Sequence, residues 1–148
     1  MGSGVEFRCR CCGFELSVRE GIGFLDFEVE EELKEKCIAG EFGEEVQQIV
    51  QQHPDCEIDS RLVLYRCITC GRFENVHRLN VCFTDDLWDK SNVKGQTRKR
   101  KGGVWVYYYQ HRCSHCQGRL IQIDTSELTV CPQCGDKEHW RGALLCWD

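Results

Sequence analysis

Between residues 26 and 54 the apolar positions recur with a helical period. In DFEVEEELKEKCIAG, Val29, Leu33 and Cys37 stand at i, i+4 and i+8 with charges between them, which places them on one face of an amphipathic helix. Asp26 is a candidate N-cap and Gly40 a candidate stop. A second, shorter helix is predicted over Glu44–Gln52, with Val46, Ile49 and Val50 on one face. His53-Pro54 ends it, because the residue before a proline is driven out of the helical region.

Elsewhere the period shortens to two. RLVLYRCITCGRFENVHRLNVCF reads as a hairpin built around a turn. VWVYYYQHRC reads as a strand, RLIQI and LTV as two more joined by a turn at DTSE, and HWRGALLCWD as a closing strand paired back into that C-terminal ribbon. Between these stretches lies a polar loop, TDDLWDKSNVKGQTRKRKGG, from Thr84 to Gly103. The pattern predicts an α+β protein. Its expected parts are a first lobe over 5–83 with a helical insertion, a basic linker over 84–103 and a second lobe over 104–148.

Composition narrows the class. The chain has 148 residues, 41% hydrophobic and 29% charged, which is ordinary for a globular protein. No apolar run approaches the roughly 18 residues of a membrane span. No secretory signal opens the chain, so a cytoplasmic location is expected. The net charge of −5 is unevenly spread: residues 15–59 hold 14 acids against 3 bases, and the remainder is net positive. An acidic molecule is a poor non-specific nucleic-acid binder, although a local basic patch can still serve.

Thirteen cysteines change the picture most. In a reducing compartment their natural use is metal binding rather than disulfides, and the odd count fits no fully paired framework. Eight of them form four CxxC units: Cys9/Cys12, Cys67/Cys70, Cys113/Cys116 and Cys131/Cys134. Two intervening residues let the chain curl so that both sulfurs converge. A glycine directly after the pair (Gly13, Gly71, Gly135), or one residue later at Gly118, accepts the left-handed conformation that closes such a turn. Zinc takes four thiolates in a tetrahedron, so four units make two sites and two Zn per chain are expected. The 14-residue spacer between the last two units favours pairing Cys113/Cys116 with Cys131/Cys134, which leaves Cys9/Cys12 for Cys67/Cys70. An interleaved arrangement, first with third and second with fourth, is the alternative. Cys37, Cys82 and Cys146 lie among apolar neighbours and read as small core residues. His111, His115 and His139 flank the second site and could stand in for a ligand.

FRCRCCGFEL and TVCPQCG resemble the two knuckles of rubredoxin and of the wider zinc-ribbon group. The shared features are an aromatic before the first pair, CxxCG, a second aromatic after it, and CPxCG at the far pair. The resemblance covers about 40 residues and implies knuckle geometry around a tetrathiolate metal. In rubredoxin two such knuckles share one iron; here two further knuckles intervene, so electron transfer is not what it implies. Thiolates alone do not choose zinc from iron, and an iron electron carrier stays as a distant alternative. A thioredoxin-like dithiol is disfavoured, because each pair here is followed by glycine and extended chain rather than by a helix.

The basic segment KGQTRKRKGG carries Lys94, Arg98, Lys99, Arg100 and Lys101, and Trp105, Tyr107, Tyr108 and Tyr109 follow it. Charges beside rings suit a nucleic-acid contact. No zincin, deaminase, phosphate-loop or nucleophile-elbow motif is present in the sequence. The expectation is therefore a non-catalytic zinc-binding interaction module, an adaptor or inhibitor whose partner is a protein. The alternative is a nucleic-acid-binding ribbon protein that uses 94–101.

Overall fold

The computed structural model describes residues 2–23, 26–85 and 97–147. The chain is α+β: among the described residues there are ten strands in two antiparallel sheets, with two α-helices. It divides into two compact units, each assembled from separated stretches. Unit 1 comprises Met1–Phe24, Arg61–His77 and His111–Asp148; unit 2 comprises Leu25–Ser60 and Arg78–Gln110. These units do not follow the expected division at 5–83, 84–103 and 104–148. The expected helical insertion is, with the following sheet strands, a unit of its own. Among the described residues no helix is long and apolar enough to cross a membrane.

Unit 1 is built on a six-stranded sheet. Its strands are β1 (Gly2–Cys9), β2 (Glu15–Gly21), β4 (Leu62–Cys67), β5 (Phe73–His77), β9 (Leu120–Gln122) and β10 (Trp140–Trp147), ordered β10-β1-β2-β4-β5 with β9 also on β4. The hairpin expected around the second CxxC is present, with Leu62 opposite His77 and Arg66 opposite Phe73. The closing strand does not join a C-terminal ribbon. It pairs along its whole length with the first strand, from Gly2 opposite Trp147 to Cys9 opposite Trp140. The strand expected at LTV is also absent. Asp124 accepts from the Ser126 backbone N–H at 2.8 Å, and Glu127 returns a bond to the Asp124 N–H at 3.2 Å. DTSE is thus a capping box that starts a short helical turn instead of a hairpin.

Alternation along β1 decides what this sheet buries. Phe7 and Cys9 face the core, while Glu6 and Arg8 face water. Phe7 stacks on Trp140 with centroids 5.1 Å apart and planes 7° apart. The residue opposite Phe7 is Gly142. A Cβ there would stand 3.0 Å from the Phe7 ring and 3.1 Å from Val5, so any side chain there would press on the stack. The Trp140 indole N–H donates to the Leu128 carbonyl at 2.8 Å.

Unit 2 packs α1 (Asp26–Ile38) and α2 (Glu44–Gln52) on one face of a sheet ordered β3-β6-β8-β7: β3 is Glu57–Asp59, β6 Asn80–Thr84, β7 Thr97–Lys99 and β8 Val104–Tyr108. Its core joins Cys37, Val46, Ile49 and Val50 to Ile58, Val81, Phe83, Trp105 and Tyr107. Gly40 ends α1 as expected, with φ +84°. Its N–H donates to the Cys37 carbonyl and that of Glu41 to Lys36, the paired bonds of a glycine-terminated helix. The side chain of Asp26, the expected cap, lies outside the described residues. Buried Cys37 is the core residue expected, but Cys82 is only half-buried and Cys146 is exposed.

Of the expected linker, residues 86–96 lie outside the described residues; the described part of the basic segment begins as a strand. Thr97–Lys99 is an edge strand on β8, with Arg98 opposite Val106. Gly102 and Gly103, at φ +87° and +79°, turn the chain between them.

Candidate metal centre

Each CxxC unit closes the same turn. The carbonyl of its first cysteine accepts from the backbone N–H four residues on: Gly13 to Cys9 at 2.9 Å, Gly71 to Cys67 at 3.0 Å, Gln117 to Cys113 at 2.9 Å and Gly135 to Cys131 at 2.8 Å. The N–H of that cysteine donates to the carbonyl one residue further, at Phe14, Arg72, Gly118 and Asp136. Gly13, Gly71 and Gly135 are left-handed at φ +79°, +75° and +75°. In the third turn it is Gln117, at φ +60°, that takes this conformation. Gly118 is needed for another reason. A Cβ on it would stand 2.6 Å from Thr69 Oγ1 and 2.9 Å from Cys67 Sγ.

The four turns come together as two groups of four sulfurs: Cys9, Cys12, Cys131 and Cys134, and Cys67, Cys70, Cys113 and Cys116. All eight cysteines expected as ligands are therefore in place, and both sites lie in unit 1. The pairing is nested, first with fourth and second with third, and this corrects both the sequential pairing and the interleaved alternative. Strand register is the cause. Full-length pairing of β10 with β1 carries the fourth turn to the first, and the Arg10 N–H donates to the His139 carbonyl at 3.1 Å. Likewise β9 pairs with the end of β4, Leu120 opposite Cys67, and the Ile68 N–H donates to the Arg119 carbonyl. The two turns carrying the rubredoxin-like features are the two that share the outer site.

Sulfur separations test whether a metal fits. Cys9–Cys134 is 3.7 Å, Cys12–Cys131 3.6 Å, Cys67–Cys116 3.4 Å and Cys70–Cys113 3.7 Å. A tetrahedron with metal–sulfur bonds of about 2.3 Å has edges of about 3.8 Å. A disulfide would need sulfurs about 2.05 Å apart. Each group can hold one metal ion. In each turn the first cysteine is buried and the second exposed, so each site sits at the rim of the unit.

The electrostatics ask for a cation. The Cys70 and Thr69 backbone N–H groups point at Cys67 Sγ, at 3.5 and 3.4 Å, and draw its pKa down to about 6 against desolvation. Burial opposes ionisation of Cys131, yet the N–H groups of Cys134 and Gln133 bring it to about 7. Their partners go the other way. Cys12, despite a backbone hydrogen bond from Phe14, is pushed up to about 12 by desolvation and its three neighbouring thiols. Cys113, despite the Cys116 backbone, is pushed up to about 12 by desolvation and by Cys70 and Glu74. Four sulfurs this close do not all ionise without a positive ion among them.

The other expected participants stay outside. Cys11, inside the first turn, is held up at about 11 as a thiol by the neighbouring Asp136 and Cys134. Asp136 is a residue that spacing alone does not reveal. It accepts from the Glu138 and His139 backbones at 2.7 and 3.1 Å and meets His139 Nδ1 at 2.7 Å, contacts that hold its carboxyl near 2. His139 is thus engaged by a carboxylate, His111 packs on Tyr65 at 5.2 Å and His115 is exposed; none belongs to either sulfur group.

In the basic segment, Arg98, Lys99, Arg100 and Lys101 are exposed, whereas Lys94 lies outside the described residues. Arg98 stands 5.9 Å from the centre of the Tyr108 ring, and Arg100 Nη2 donates to Tyr108 Oη at 3.0 Å. Trp105 and Tyr107 are buried on the helix side of the sheet. No protein-family model, no curated protein and no solved structure matches the chain.

Proposed function

We propose that this protein is a non-catalytic module whose two ions are structural zinc and which acts by binding another protein. The observation that carries the reading is closure of the two sites. Each has four sulfurs at tetrahedral spacing, which leaves no open position for a water or substrate as a catalytic zinc requires. A bound zinc contributes folding free energy on the order of 10 kcal/mol per site. That is a large term for a unit stitched together from three separated stretches of chain. Function then belongs to the surface.

The test has two parts. Purified from its own cell, the protein is expected to hold two zinc ions and to be colourless, whereas iron in the same sulfur cage would make it red. Metal-loaded protein is expected to retain a specific protein partner that chelator-treated protein loses. One metal or none, or a red protein, would contradict the reading.

A second reading, binding of a nucleic acid through Arg98, Lys99, Arg100 and Lys101, draws on the convergence of Arg98 and Arg100 on Tyr108. It has fewer rings to use than the sequence offers, because Trp105 and Tyr107 are committed to the core. A salt titration decides it. Binding to random RNA or DNA with a log–log slope of about −0.7 to −0.9 per phosphate contacted supports it. No binding at low salt removes it.

A further inference from the structure

The strand β10 ends the six-stranded sheet, with β1 as its neighbour on one side. Its pairing with β1 runs eight residues without a break. Every residue from Arg141 to Cys146 is exposed, and Leu144 and Leu145 are 84% and 38% exposed. Natural sheets blunt such an edge with proline, bulges, short length or several charges. Here there is no proline, and Arg141 is the one charge in WRGALLCW. A long, apolar, uncovered edge presents unpaired backbone groups to any extended chain.

The first end of β10 adds a charge preference. Arg141 stands directly opposite Arg8, an arrangement of like charges that costs stability. Arg8 is relieved by Glu15 at 2.7 Å. Among the described residues Arg10 and Arg141 have no such partner. Together with Glu138 and His139 they line a cavity of about 320 Å³. That space suits a carboxylate bridging the two guanidinium groups.

We propose that β10 takes up an extended segment of a partner protein as an additional antiparallel strand. Apolar side chains of that segment would lie on Leu144 and Leu145, and a carboxylate near its C-terminal end would sit between Arg10 and Arg141. This rests on the interaction-module reading and supplies its surface. The arginine pair calls for a carboxylate, and the described strand β10 carries none.

The test uses metal-loaded full chain and three fluorescein-labelled decapeptides. One alternates valine and threonine and ends in two glutamates. The second has lysines in place of the glutamates. The third keeps the glutamates but has proline at alternate positions. Fluorescence anisotropy is expected to show the glutamate peptide binding at least tenfold more tightly than the other two. Arg141→Glu is expected to reverse the glutamate–lysine order, and Leu144→Lys to weaken both at least tenfold. Both side chains are exposed, so thermal unfolding and zinc content serve as controls that the variants fold. The proposal is overturned by equal binding of the three peptides, by binding of none, or by a preference that Arg141→Glu leaves unchanged. It is also overturned if the protein dimerises and Leu144→Lys makes it monomeric, since the edge then belongs to a second copy. A native partner retained equally by wild type and by a variant carrying both Arg141→Glu and Leu144→Lys would remove this surface while leaving the module reading intact.

Discussion

Gly118→Ala is the sharpest single-atom test of how the inner site is built. The added Cβ would lie 2.6 Å from Thr69 Oγ1, 2.8 Å from Thr69 Cβ and 2.9 Å from Cys67 Sγ. None of these is the far end of a flexible side chain. Thr69 is short and branched, and Cys67 Sγ is one of the four sulfurs that would hold the ion. Relief therefore requires the second and third turns to move apart. Overpacking of this kind costs about 1–3 kcal/mol and occasionally more. Because the displaced atom is a ligand, the upper end is expected: about 3 kcal/mol, close to a hundredfold in affinity for the inner ion. The control is Gly13→Ala, where nothing lies within 4 Å of the new Cβ. There only the left-handed backbone is penalised, by about 1–2 kcal/mol. Titration with a chromophoric chelator would follow zinc release in two steps. In Gly118→Ala one equivalent should leave about a hundredfold more easily while the other behaves as in wild type. Wild-type release of both equivalents would refute the close approach of the two turns.

Three further outcomes are expected. Gln117→Gly should raise stability to urea by about 0.5–1 kcal/mol, because Gln117 and not Gly118 occupies the left-handed position of its turn; a loss would show that its side chain does something the backbone argument omits. In metal-loaded protein an alkylating reagent should modify exposed Cys146 quickly, Cys11 more slowly because its thiol is held up at about 11, and spare buried Cys37 and Cys56, and Cys146→Ser should change stability by no more than about 0.5 kcal/mol; mass spectrometry of the adducts checks the first and chemical unfolding the second. Alkali should weaken unit 2 through Cys37, whose thiol burial and the nearby Cys56 raise to about 11. The folded state keeps a proton that the unfolded chain loses above about pH 9, so this contribution is whole below pH 9 and drains away as pH rises through 11. Cys37→Ala should flatten that limb of the stability–pH curve, and an unchanged slope would refute it.

Local features were readable because short spacings govern them. CxxC followed by glycine states a turn, and Val46, Ile49 and Val50 state a helix face. The partner of each turn was not readable from spacing. A 14-residue interval permits the third and fourth turns to share an ion, yet β10 pairs with β1 and takes the fourth turn away to the first. The shared features of FRCRCCGFEL and TVCPQCG held that information, since those turns do share a site. Two other signals were present and outweighed. DTSE is a capping box as well as a turn composition. The Gly102-Gly103 pair marks a reversal, which makes the preceding basic residues a strand rather than a linker. Cys146 misled for a different reason. Its neighbours Leu144, Leu145 and Trp147 are apolar as in a core strand, but β10 is at an edge and Cys146 is exposed.

Cadmium-113 in place of the native ions would report directly on two closed four-sulfur sites in nested pairing. Through-bond proton–cadmium correlation shows which cysteine β-protons share an ion. Two cadmium signals in the range for four sulfur ligands are expected. One should correlate with Cys9, Cys12, Cys131 and Cys134, the other with Cys67, Cys70, Cys113 and Cys116. A single cadmium signal, or an ion correlating with both Cys9/Cys12 and Cys67/Cys70, would contradict this arrangement.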